Sequence, residues 1–395
     1  MPNPFSFDMK LQKGCGIDLH KDSIKCCLMG VGTEVLIKDY GTISSQLRLL
    51  CRELQSHGIK DVIIESTGVY WMPLHKLLSR EGIRVVIVNP LRVKQIPGKK
   101  TDTTDAEWLC KLLINDLVSP SFIPDIGLRQ LRQLSRQRHL YVQQLTQVKS
   151  RILKVLETGN FKLRSVLSNI NTKSARKIVE ALADNRTDMS YLQSLCFGRA
   201  AKKAALLPEA LDGVLTDKER QLLKLHLGDW NYLENRIGFL EGQMLEMIVD
   251  NYSITFDLIQ KVPGIGKQSS CMLIAELGDN LESFPSADHF TSWVGLAPGN
   301  RQSANKWFAQ HTTKGNKYIR SVLIQIAWAA VRIKNGYWQA QFQHLRKRLP
   351  AKKAIVAISR KVAKLIYRVI TQHYQYEEKG AEYFINQRGK YHTIQ

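Results

Sequence analysis

Cys15-Gly16-Ile17-Asp18-Leu19 and Asp61-Val62-Ile63-Ile64-Glu65 are the two apolar stretches that decide the fold of the N-terminal part of the chain. The first continues through Cys26-Cys27-Leu28-Met29, and a turn at Gly30–Gly32 leads into a hairpin partner, Glu34-Val35-Leu36-Ile37. Short apolar runs bounded by turn residues are typical of strands. Runs as continuous as these indicate parallel strands that are covered on both faces.

Helix signals alternate with these strands. Ser44 to Leu54 has helical spacing with Gly58 as its stop, and Val69–Ser79 is a second predicted helix. Val85-Val86-Ile87-Val88 is a further buried strand, closed by Asn89-Pro90. A hairpin followed by β-α-β-α-β predicts an α/β domain whose sheet has mixed strand pairing.

The charge of the chain points to a polyanionic partner. The 395 residues carry a formal net charge of +22, and such an excess attracts nucleic acid or, as the alternative, an acidic membrane surface. The sequence has no apolar run of about 18 residues and no signal-peptide core near residue 1, so we expect a cytoplasmic protein without a membrane partner. Seven scattered cysteines without a C-x-x-C spacing are predicted to be reduced core thiols.

Two long helices are predicted in the middle of the chain, the first from Gly127 to Glu157. Apolar residues repeat at spacings of three and four in both, as in a coiled coil, at Tyr141, Leu145, Val148, Ile152 and Val155, and at Trp230, Leu233, Ile237, Leu240, Met244 and Met247. The two helices could pair antiparallel in one chain, mediate dimerisation, or be ordinary members of a bundle. Residues 160–215 between them are predicted to be helical, and the polar tail after Tyr376 is predicted to be loose.

Four carboxylates stand where a metal centre would need them. Asp18 lies in the middle of an apolar strand, where a carboxylate is unfavourable unless it is bound or paired, and Glu65 ends the next buried strand. Asp102 and Asp105 open a predicted helix that runs to about Leu113, and their spacing places them on one face of its first turn. Two carboxylates held at 4 Å repel by about 4 kcal/mol at an effective dielectric of 20. Divalent cations remove that repulsion, and oxygen ligands select Mg²⁺ or Mn²⁺.

Each of these carboxylates also has an ordinary explanation. Asp102 could be a helix N-cap and Asp105 a first-turn charge favoured by the helix dipole. Glu65 could be a solvated loop residue.

The C-terminal half is strongly cationic, since no aspartate or glutamate occurs from His289 to Tyr376 while sixteen lysines and arginines do. Before it, Val262-Pro263-Gly264-Ile265-Gly266-Lys267 and the apolar helix Met272–Leu277 are typical of a helix-hairpin-helix, whose glycines let backbone N–H groups approach a phosphate. An ordinary Pro-Gly turn is the alternative. A second cationic strip without acids runs from Ile126 to Leu156.

The predicted nucleic-acid contacts come from these two strips and the hairpin. They are Arg129, Arg132, Arg136, Arg138, Lys149, Arg151, Lys154, Gly264, Gly266, Lys267, Arg301, Lys306, Lys314, Lys317, Arg320, Lys352, Lys353, Arg360, Lys361 and Lys364. Within the cationic half, Ser303 lies in a predicted polar loop. A serine must lose its proton to attack phosphorus, so we expect the metal-bound carboxylates to lie across the DNA from it and to activate it.

Several motifs together resemble one family: Gly16-Ile17-Asp18-Leu19-His20-Lys21, Glu65-Ser66-Thr67-Gly68, Asn89-Pro90, Lys100-Thr101-Asp102-Thr103-Thr104-Asp105-Ala106, Pro263-Gly264-Ile265-Gly266, and Gly295-Leu296-Ala297-Pro298. They are similar to the DEDD transposases of bacterial insertion sequences, relatives of the Piv DNA invertase. The resemblance covers residues 14–120 and 256–370.

The resemblance implies an RNase H-type, RuvC-like domain at residues 1–124 and a coiled-coil region at 125–255 with an inserted helical segment at 158–215. A mainly helical transposase domain at 256–375, with the helix-hairpin-helix and the serine loop, precedes the polar tail 376–395. The fold class expected is therefore α/β plus all-α.

The resemblance also implies roles for single residues. Four acidic residues would be the DEDD set that holds Mg²⁺ or Mn²⁺: Asp18, Glu65, Asp102 and Asp105. Ser303 would be the nucleophile that links covalently to cleaved DNA. The expected partners are the double-stranded DNA of the element ends and target, a structured non-coding guide RNA (bridge RNA), and further copies of the chain in a dimer or tetramer at the bacterial nucleoid.

We therefore expect an RNA-guided, Mg²⁺-dependent DNA recombinase that excises and inserts its own mobile element. One rival is a RuvC-like, metal-dependent junction-resolving endonuclease, which hydrolyses DNA with metal-bound water and needs no serine. Another is a non-catalytic nucleic-acid-binding protein that uses only the hairpin and the basic helices.

Overall fold

The structure, a computed structural model, describes residues 11–30, 34–66, 68–94, 96–97, 104–118, 120–121, 123–299, 302–303, 306–307, 312 and 315–392. The chain divides into two compact units, Met1–Ile123 and Pro124–Gln395. The described part of the chain holds no helical segment with the length and hydropathy of a membrane span. All seven cysteines are buried.

A five-stranded sheet forms the centre of the first unit. Its strands are β1 (Lys13–Leu19), β2 (Ser23–Gly30), β3 (Leu36–Gly41), β4 (Asp61–Glu65) and β5 (Arg84–Val88), in the order β3-β2-β1-β4-β5. The first three strands pair antiparallel, whereas β1 with β4 and β4 with β5 pair parallel. The mixed sheet predicted from the sequence is confirmed, and it fits an RNase H-like domain. The prediction of one extended run through Met29 is wrong, because the chain turns after Leu19 and forms the two antiparallel strands β1 and β2.

Helices cover both faces of this sheet because alternate strand residues point to opposite sides. On one face, α1 (Ser44–Ser56) and α2 (Trp71–Arg80) contribute leucines to a core that includes Ile17 and Ile64. On the other face, α4 (Asp105–Ile114) packs Leu109, Leu112 and Leu113 against Ile63 and Val86. The short helix α3 (Pro90–Val93) follows β5.

Helix α4 crosses β1 at Gly16. A Cβ atom at this position would lie 2.0 Å from the carbonyl oxygen of Ala106 and 2.5 Å from the backbone nitrogen of Cys110. The thiol of Cys110 donates to the carbonyl of Gly14 at 3.2 Å. The other end of the helix lies over the start of the strand, because the Leu11 N–H donates to the Ile114 carbonyl at 3.3 Å. Helix α4 therefore runs antiparallel to β1, and only glycine fits at the crossing.

Two long helices, α5 (Ile126–Thr158) and α10 (Asp217–Gln260), dominate the second unit and pack together. They are antiparallel, because the start of α5 shares a core with the end of α10, and the end of α5 shares another with the start of α10. Of the alternatives left open by the sequence, the structure shows antiparallel pairing within one chain; coiled-coil supercoiling stays a prediction. Near its end α10 is kinked at Tyr252, whose φ of −137° and ψ of 22° are not helical.

The segment between the long helices packs against the end of α5 and the start of α10. It contains α6 (Leu163–Val166), α7 (Lys173–Ala183), α8 (Met189–Ser194), a 3₁₀ helix (Gly198–Leu206) and α9 (Leu207–Ala210). Its apolar residues form one core with Ile152 and Leu156 of α5 and Leu223, Leu227 and Trp230 of α10.

The C-terminal segment packs against the start of α5 and the end of α10, where it forms the other core. It contains α11 (Lys267–Leu277), α12 (Ala287–Val294), the strands β6 (Gln302–Ser303) and β7 (Lys306–Trp307), α13 (Lys317–Ala330), α14 (Tyr337–Arg346), α15 (Ala351–Gln372) and α16 (Gly380–His392).

The expectation of a loose tail is wrong, because α16 packs on α14. The ring centroid of Phe384 lies 5.8 Å from that of Tyr337 and 6.0 Å from that of His344, and Tyr383 also contacts Tyr337. Aromatic contacts of this kind add to area burial, so they hold a polar segment in place.

We expect Gly16→Ala to weaken the first unit by about 3 kcal/mol, because a methyl group at the crossing must push α4 off β1. Hydrogen–deuterium exchange should become faster in the peptides of β1 and α4. Gly41→Ala is the matched control, since its nearest neighbour would be the flexible Gln46 side chain at 3.4 Å. Equal rates of hydrogen–deuterium exchange in Gly16→Ala and Gly41→Ala would contradict the close packing of α4 on β1 at Gly16.

Candidate functional site

Asp18 and Glu65 lie side by side at the carboxyl ends of neighbouring parallel strands. The register pairs Gly16 with Ile63 and Ile17 with Ile64, so the next position along places Asp18 beside Glu65. Asp18 points to the same face as Gly16, and Glu65 to the same face as Ile63, because side chains alternate along a strand. That face is the one covered by α4. We name the end of this face, with Asp18, Glu65 and Asp105, the acidic edge.

Asp105 reaches the acidic edge through the packing of α4. It is the first residue of the helix and directly precedes Ala106, whose carbonyl lies over Gly16. The helix begins later than predicted, because Thr104 is its N-cap and accepts a hydrogen bond from the Glu107 N–H. The alternative that Asp102 caps this helix is therefore wrong. Asp102 itself lies outside the described residues, so its pairing with Asp105 stays a prediction.

The acidic edge offers the donor class that Mg²⁺ prefers. Its three side chains are carboxylates, and oxygen ligands favour Mg²⁺ or Mn²⁺ over zinc. The Asp18 side chain is 24% exposed, and its Oδ2 lies 3.4 Å from Nε2 of His20. Among the described residues, no three His, Cys, Asp or Glu side chains lie close enough to hold a metal ion as they stand. The residue types and their common edge fit the ion, and the predicted fourth carboxylate is Asp102.

Ser303 lies in a short β-hairpin that projects from the helical C-terminal segment. Gln302 pairs with Trp307, and Ser303 pairs with Lys306, so only two residues connect the strands. A further antiparallel bridge joins Pro298 to Thr312. The sequence predicted a polar loop here, and the structure gives it strand pairing. Ser303 is the last strand residue before the turn, while Arg301 and Lys314 lie outside the described residues.

The two ends of this hairpin are clamped together. A Cβ atom at Gly315 would lie 2.3 Å from the Gly295 nitrogen and 2.5 Å from the Trp293 carbonyl oxygen, so the chain after the hairpin passes directly over the chain before it. The Asn316 N–H donates to the Trp293 carbonyl at 3.2 Å. The Arg320 guanidinium donates to the Gly295 carbonyl at 2.7 Å.

A buried glutamate holds this clamp in place. The Glu276 side chain is only 2% exposed, and Arg136 of α5 donates to its two oxygens at 2.9 and 3.0 Å. The side chain of Asn316 donates to Glu276 Oε2 at 2.7 Å and accepts from the Tyr318 N–H, which caps α13. The Arg136 guanidinium also lies 4.5 Å from the Tyr318 ring centroid. We name Arg136, Glu276 and Asn316 the clamp network.

The contacts of this network favour the charged form of Arg136. Burial alone would lower the pKa of Arg136, but the hydrogen bonds and charge of Glu276 outweigh it, and the pKa is raised. Arg132 donates to the Ala275 and Glu276 carbonyls at 3.3 and 2.7 Å, and burial lowers its pKa.

Sequence reasoning missed Glu276, although a signal for it exists. It is the one carboxylate in the apolar run Met272–Leu277, which is the same criterion that singled out Asp18. A carboxylate in an apolar helix is unfavourable unless it is paired. The arginines one helical turn apart at Arg132 and Arg136 are its partners.

The glycines of the predicted helix-hairpin-helix differ in their surroundings. Gly264 has a φ of +86°, and a Cβ atom there would lie 2.6 Å from backbone atoms of Ile326 and Ala330, so this glycine is required for packing on α13. Gly266 is the N-cap of α11 and faces open space, next to the exposed Lys267. Phosphate binding by this turn stays a prediction.

Most of the predicted nucleic-acid contacts fall into two groups; Arg129 is half-buried, and Lys306 pairs in the Ser303 hairpin. Internal partners occupy Arg132, Arg136, Arg138, Lys149, Arg320, Arg360, Lys361 and Lys364. For example, Lys149 lies 4.3 Å from the Trp230 ring centroid, and burial lowers its pKa. A phosphate would have to compete with these bonds. Exposed members are Arg151, Lys154, Lys267, Lys317, Lys352 and Lys353.

We expect Glu276→Leu to destabilise the second unit by about 3 kcal/mol, because Arg132 and Arg136 then lose their carboxylate partner. The double variant Glu276→Leu/Arg136→Leu should lose less stability than Glu276→Leu, since one of the two unpaired charges is removed and Arg132 keeps its bonds to the Ala275 and Glu276 carbonyls. Urea unfolding and hydrogen exchange at the start of α13 measure both effects. Glu246→Leu, at an exposed glutamate of α10, is the control. A Glu276→Leu protein as stable as this control would contradict the role of the clamp network.

Two comparisons with known families match the regions that carry these sites. A transposase model of the DEDD, IS110 type matches residues 15–160, which include the acidic edge. The model of the transposase IS116/IS110/IS902 family matches residues 256–343, which include Glu276 and Ser303.

Relatives are found among bacterial transposition and inversion proteins. The pilin gene-inverting protein of Moraxella bovis is 35% identical over 129 residues, 31% of this chain and 38% of that protein. A putative transposase y4pF/y4sB of Sinorhizobium fredii is 25% identical over 214 residues, 50% of this chain and 54% of that protein. An uncharacterized 43.6 kDa protein of insertion element IS110 from Streptomyces coelicolor is 29% identical over 75 residues, 19% of this chain and 18% of that protein.

The chain thus matches about half the length of these relatives at most. The two family models match in consecutive order, one over the acidic edge and one over the Ser303 hairpin, and together they span more than half of the sequence. The resemblance seen in the sequence motifs is confirmed, and the chain belongs to the IS110/IS116/IS902 family of transposases.

Proposed function

We propose that the chain is an RNA-guided, Mg²⁺-dependent DNA recombinase that excises and inserts an insertion sequence through a covalent serine–DNA intermediate. The observation that carries this proposal is the acidic edge. Parallel pairing sets Asp18 beside Glu65, and α4 brings Asp105 to the same face. The family membership supports the DNA substrate, and the name of the Moraxella relative describes a DNA inversion.

The acidic edge, together with Asp102, would hold one or two Mg²⁺ ions. Ions bound there would neutralise the charge that builds up on the attacked phosphate. The role of the carboxylates would be to hold the ions at one edge of the sheet, so that a phosphate attracted to the ions is placed there. His20, next to Asp18, would contact a neighbouring phosphate.

The covalent step belongs to Ser303. Its Oγ would lose a proton and form a bond to phosphorus while the P–O bond of the DNA strand breaks, and the departing strand oxygen gains a proton. The hydroxyl of a second strand would then attack the phosphoserine, form a new phosphodiester and return the proton to Ser303. Each step exchanges one phosphate ester for another, so no external energy source is needed.

The partners of the proposed function are polyanions and further copies of the chain. The exposed cations of the second unit would bind the phosphates of DNA and of a structured guide RNA. A dimer or tetramer would bring together the four strand ends that recombination joins. The acidic edge and Ser303 would serve one scissile phosphate, contributed by one chain or by two.

A junction-resolving endonuclease is the second candidate function. It is favoured by the fact that the acidic edge lies wholly in the unit with the RNase H-like sheet. Such an enzyme would cleave with activated water and leave no protein–DNA adduct.

Ser303→Ala separates these two functions. The recombinase requires that this variant forms no covalent adduct with a DNA substrate carrying element ends, while wild-type protein forms an adduct that survives SDS and is removed by protease. Ser321→Ala is the control, because its hydroxyl only donates to the Tyr318 carbonyl within α13. DNA cleavage that persists in Ser303→Ala without an adduct would favour the endonuclease.

The carboxylates are tested by neutral substitutions that keep their shape. Asp18→Asn, Glu65→Gln and Asp105→Asn should each lower strand cleavage at least about 100-fold, because losing one charge weakens the hold on the ions and phosphate. Asp39→Asn, at an exposed position of β3, should cleave like wild type. Binding to DNA should remain in all four proteins. Full cleavage by Asp18→Asn would remove the acidic edge from the mechanism.

A further inference from the structure

The inserted helical segment presents a surface for which the sequence predicted no nucleic-acid contact. The family models end at residue 160 and resume at residue 256, so neither covers it. Its exposed side combines one aromatic ring with four cations, and we name it the insert surface: Lys173, Lys177, Phe197, Arg199 and Lys202.

Phe197 is the centre of this surface. Its backbone N–H donates to the Ser174 hydroxyl at 2.9 Å, which fixes the residue against the start of α7. Its side chain is nevertheless 51% exposed. The Lys177 ammonium lies 5.1 Å from the ring centroid, and the exposed Lys173 lies one helical turn before it. The backbone of Phe197 is therefore held in place, and its ring lies beside a cation with much of its area in water.

The 3₁₀ helix extends the surface. None of its nine residues is buried, and Arg199 and Lys202 are exposed. The Lys203 ammonium donates to the Val166 carbonyl at 3.3 Å, which holds this helix against α6. A second exposed aromatic, Tyr191, lies 6.0 Å from the Arg186 guanidinium.

The charge of the insert surface is of one sign. No aspartate or glutamate occurs from Met189 to Pro208. Glu180, on the same helix as Lys177, is bonded to Arg176 at 3.2 Å. Exposing an aromatic ring to water is unfavourable, so a ring fixed in this way beside unopposed cations fits a ligand with both flat apolar faces and negative charges.

We infer that the insert surface binds an unpaired segment of RNA, with a base stacked on Phe197 and adjacent phosphates on Lys177, Arg199 and Lys202. A duplex buries the faces of its bases, so it would leave the ring unused. An acidic peptide would use the cations only. Unpaired RNA loops present splayed bases for stacking on aromatic side chains. The inference rests on the nucleic-acid binding of the proposed function but not on its chemistry.

The test uses the full chain and an unstructured 12-nucleotide RNA, with affinity measured by fluorescence anisotropy. Phe197→Ala should weaken binding about 5- to 100-fold, the range for loss of one stacked base. Lys177→Gln/Arg199→Gln/Lys202→Gln should reduce the log–log salt slope by about 2, at about 0.7 per phosphate. The controls are Phe239→Ala, an exposed aromatic of α10, and Lys60→Gln, an exposed lysine of the first unit.

Ultraviolet crosslinking of the same RNA, followed by mass spectrometry, locates the contact independently. We expect an adduct on the peptide that contains Phe197, and its loss in Phe197→Ala. Wild-type affinity in Phe197→Ala, or equal weakening in Phe239→Ala, would overturn the inference. A DNA strand of the same sequence that binds this surface as tightly would overturn the assignment to RNA.

The same measurement separates this inference from the proposed function. A full chain that binds no RNA removes the guided part of the proposed function and this inference together. A chain that binds RNA equally well with and without Phe197 removes only the inference. Adduct formation at Ser303 on DNA is scored separately and does not depend on Phe197.

Discussion

The close crossing of α4 over β1 at Gly16 is the constraint on which the acidic edge depends. Backbone atoms of Ala106 and Cys110 occupy the space that any side chain would need, so the helix lies directly on the strand. This contact fixes the position of Asp105, the first residue of the helix. The parallel register of β1 with β4 fixes Asp18 and Glu65 in the same way, through backbone hydrogen bonds and not through the side chains themselves. The packing of the backbone thus sets these three carboxylates at one edge of the sheet, although their side chains do not form a metal-binding cluster as they stand.

A second constraint acts on the hairpin that carries Ser303. A chain with 57 basic and 35 acidic residues uses one deeply buried glutamate to fix α5, α11 and the start of α13. Breaking such a network strands a charge in the interior, so its partners stay in place. The clamp network and the close approach at Gly315 therefore hold together the two ends of the segment that carries the Ser303 hairpin.

Much of the fold was predictable, because apolar periodicity is local. The runs at 61–65 and 85–88 predicted buried strands, and the spacing at 127–157 predicted α5. The start of α4 was not predictable by the same means, since Thr101, Asp102 and Thr104 are all good N-cap residues and only tertiary packing selects Thr104. The helix α16 depends on contacts of Phe384 with Tyr337 and His344, which lie 47 and 40 residues earlier in the sequence, so the polar composition of the tail did not predict it.

The candidate site was predictable only where a single residue is unusual for its surroundings in the sequence. Asp18 was found because a carboxylate interrupts an apolar strand, and Glu276 would have been found by the same rule. The internal partners of Arg132, Arg138 and Lys149 could not be found, because a cationic helix face has the same sequence whether it meets solvent or another helix. The burial of each basic side chain in the folded protein therefore decides whether it is available to bind nucleic acid.

The antiparallel pairing of α5 with α10 gives the second unit a fixed internal length. Leu131 belongs to one core and Ile152 to the other, and the 1.5 Å rise per residue separates them by about 30 Å. The paired helices therefore set the distance between the two cores: shortening both helices by two turns would bring the cores about 11 Å closer.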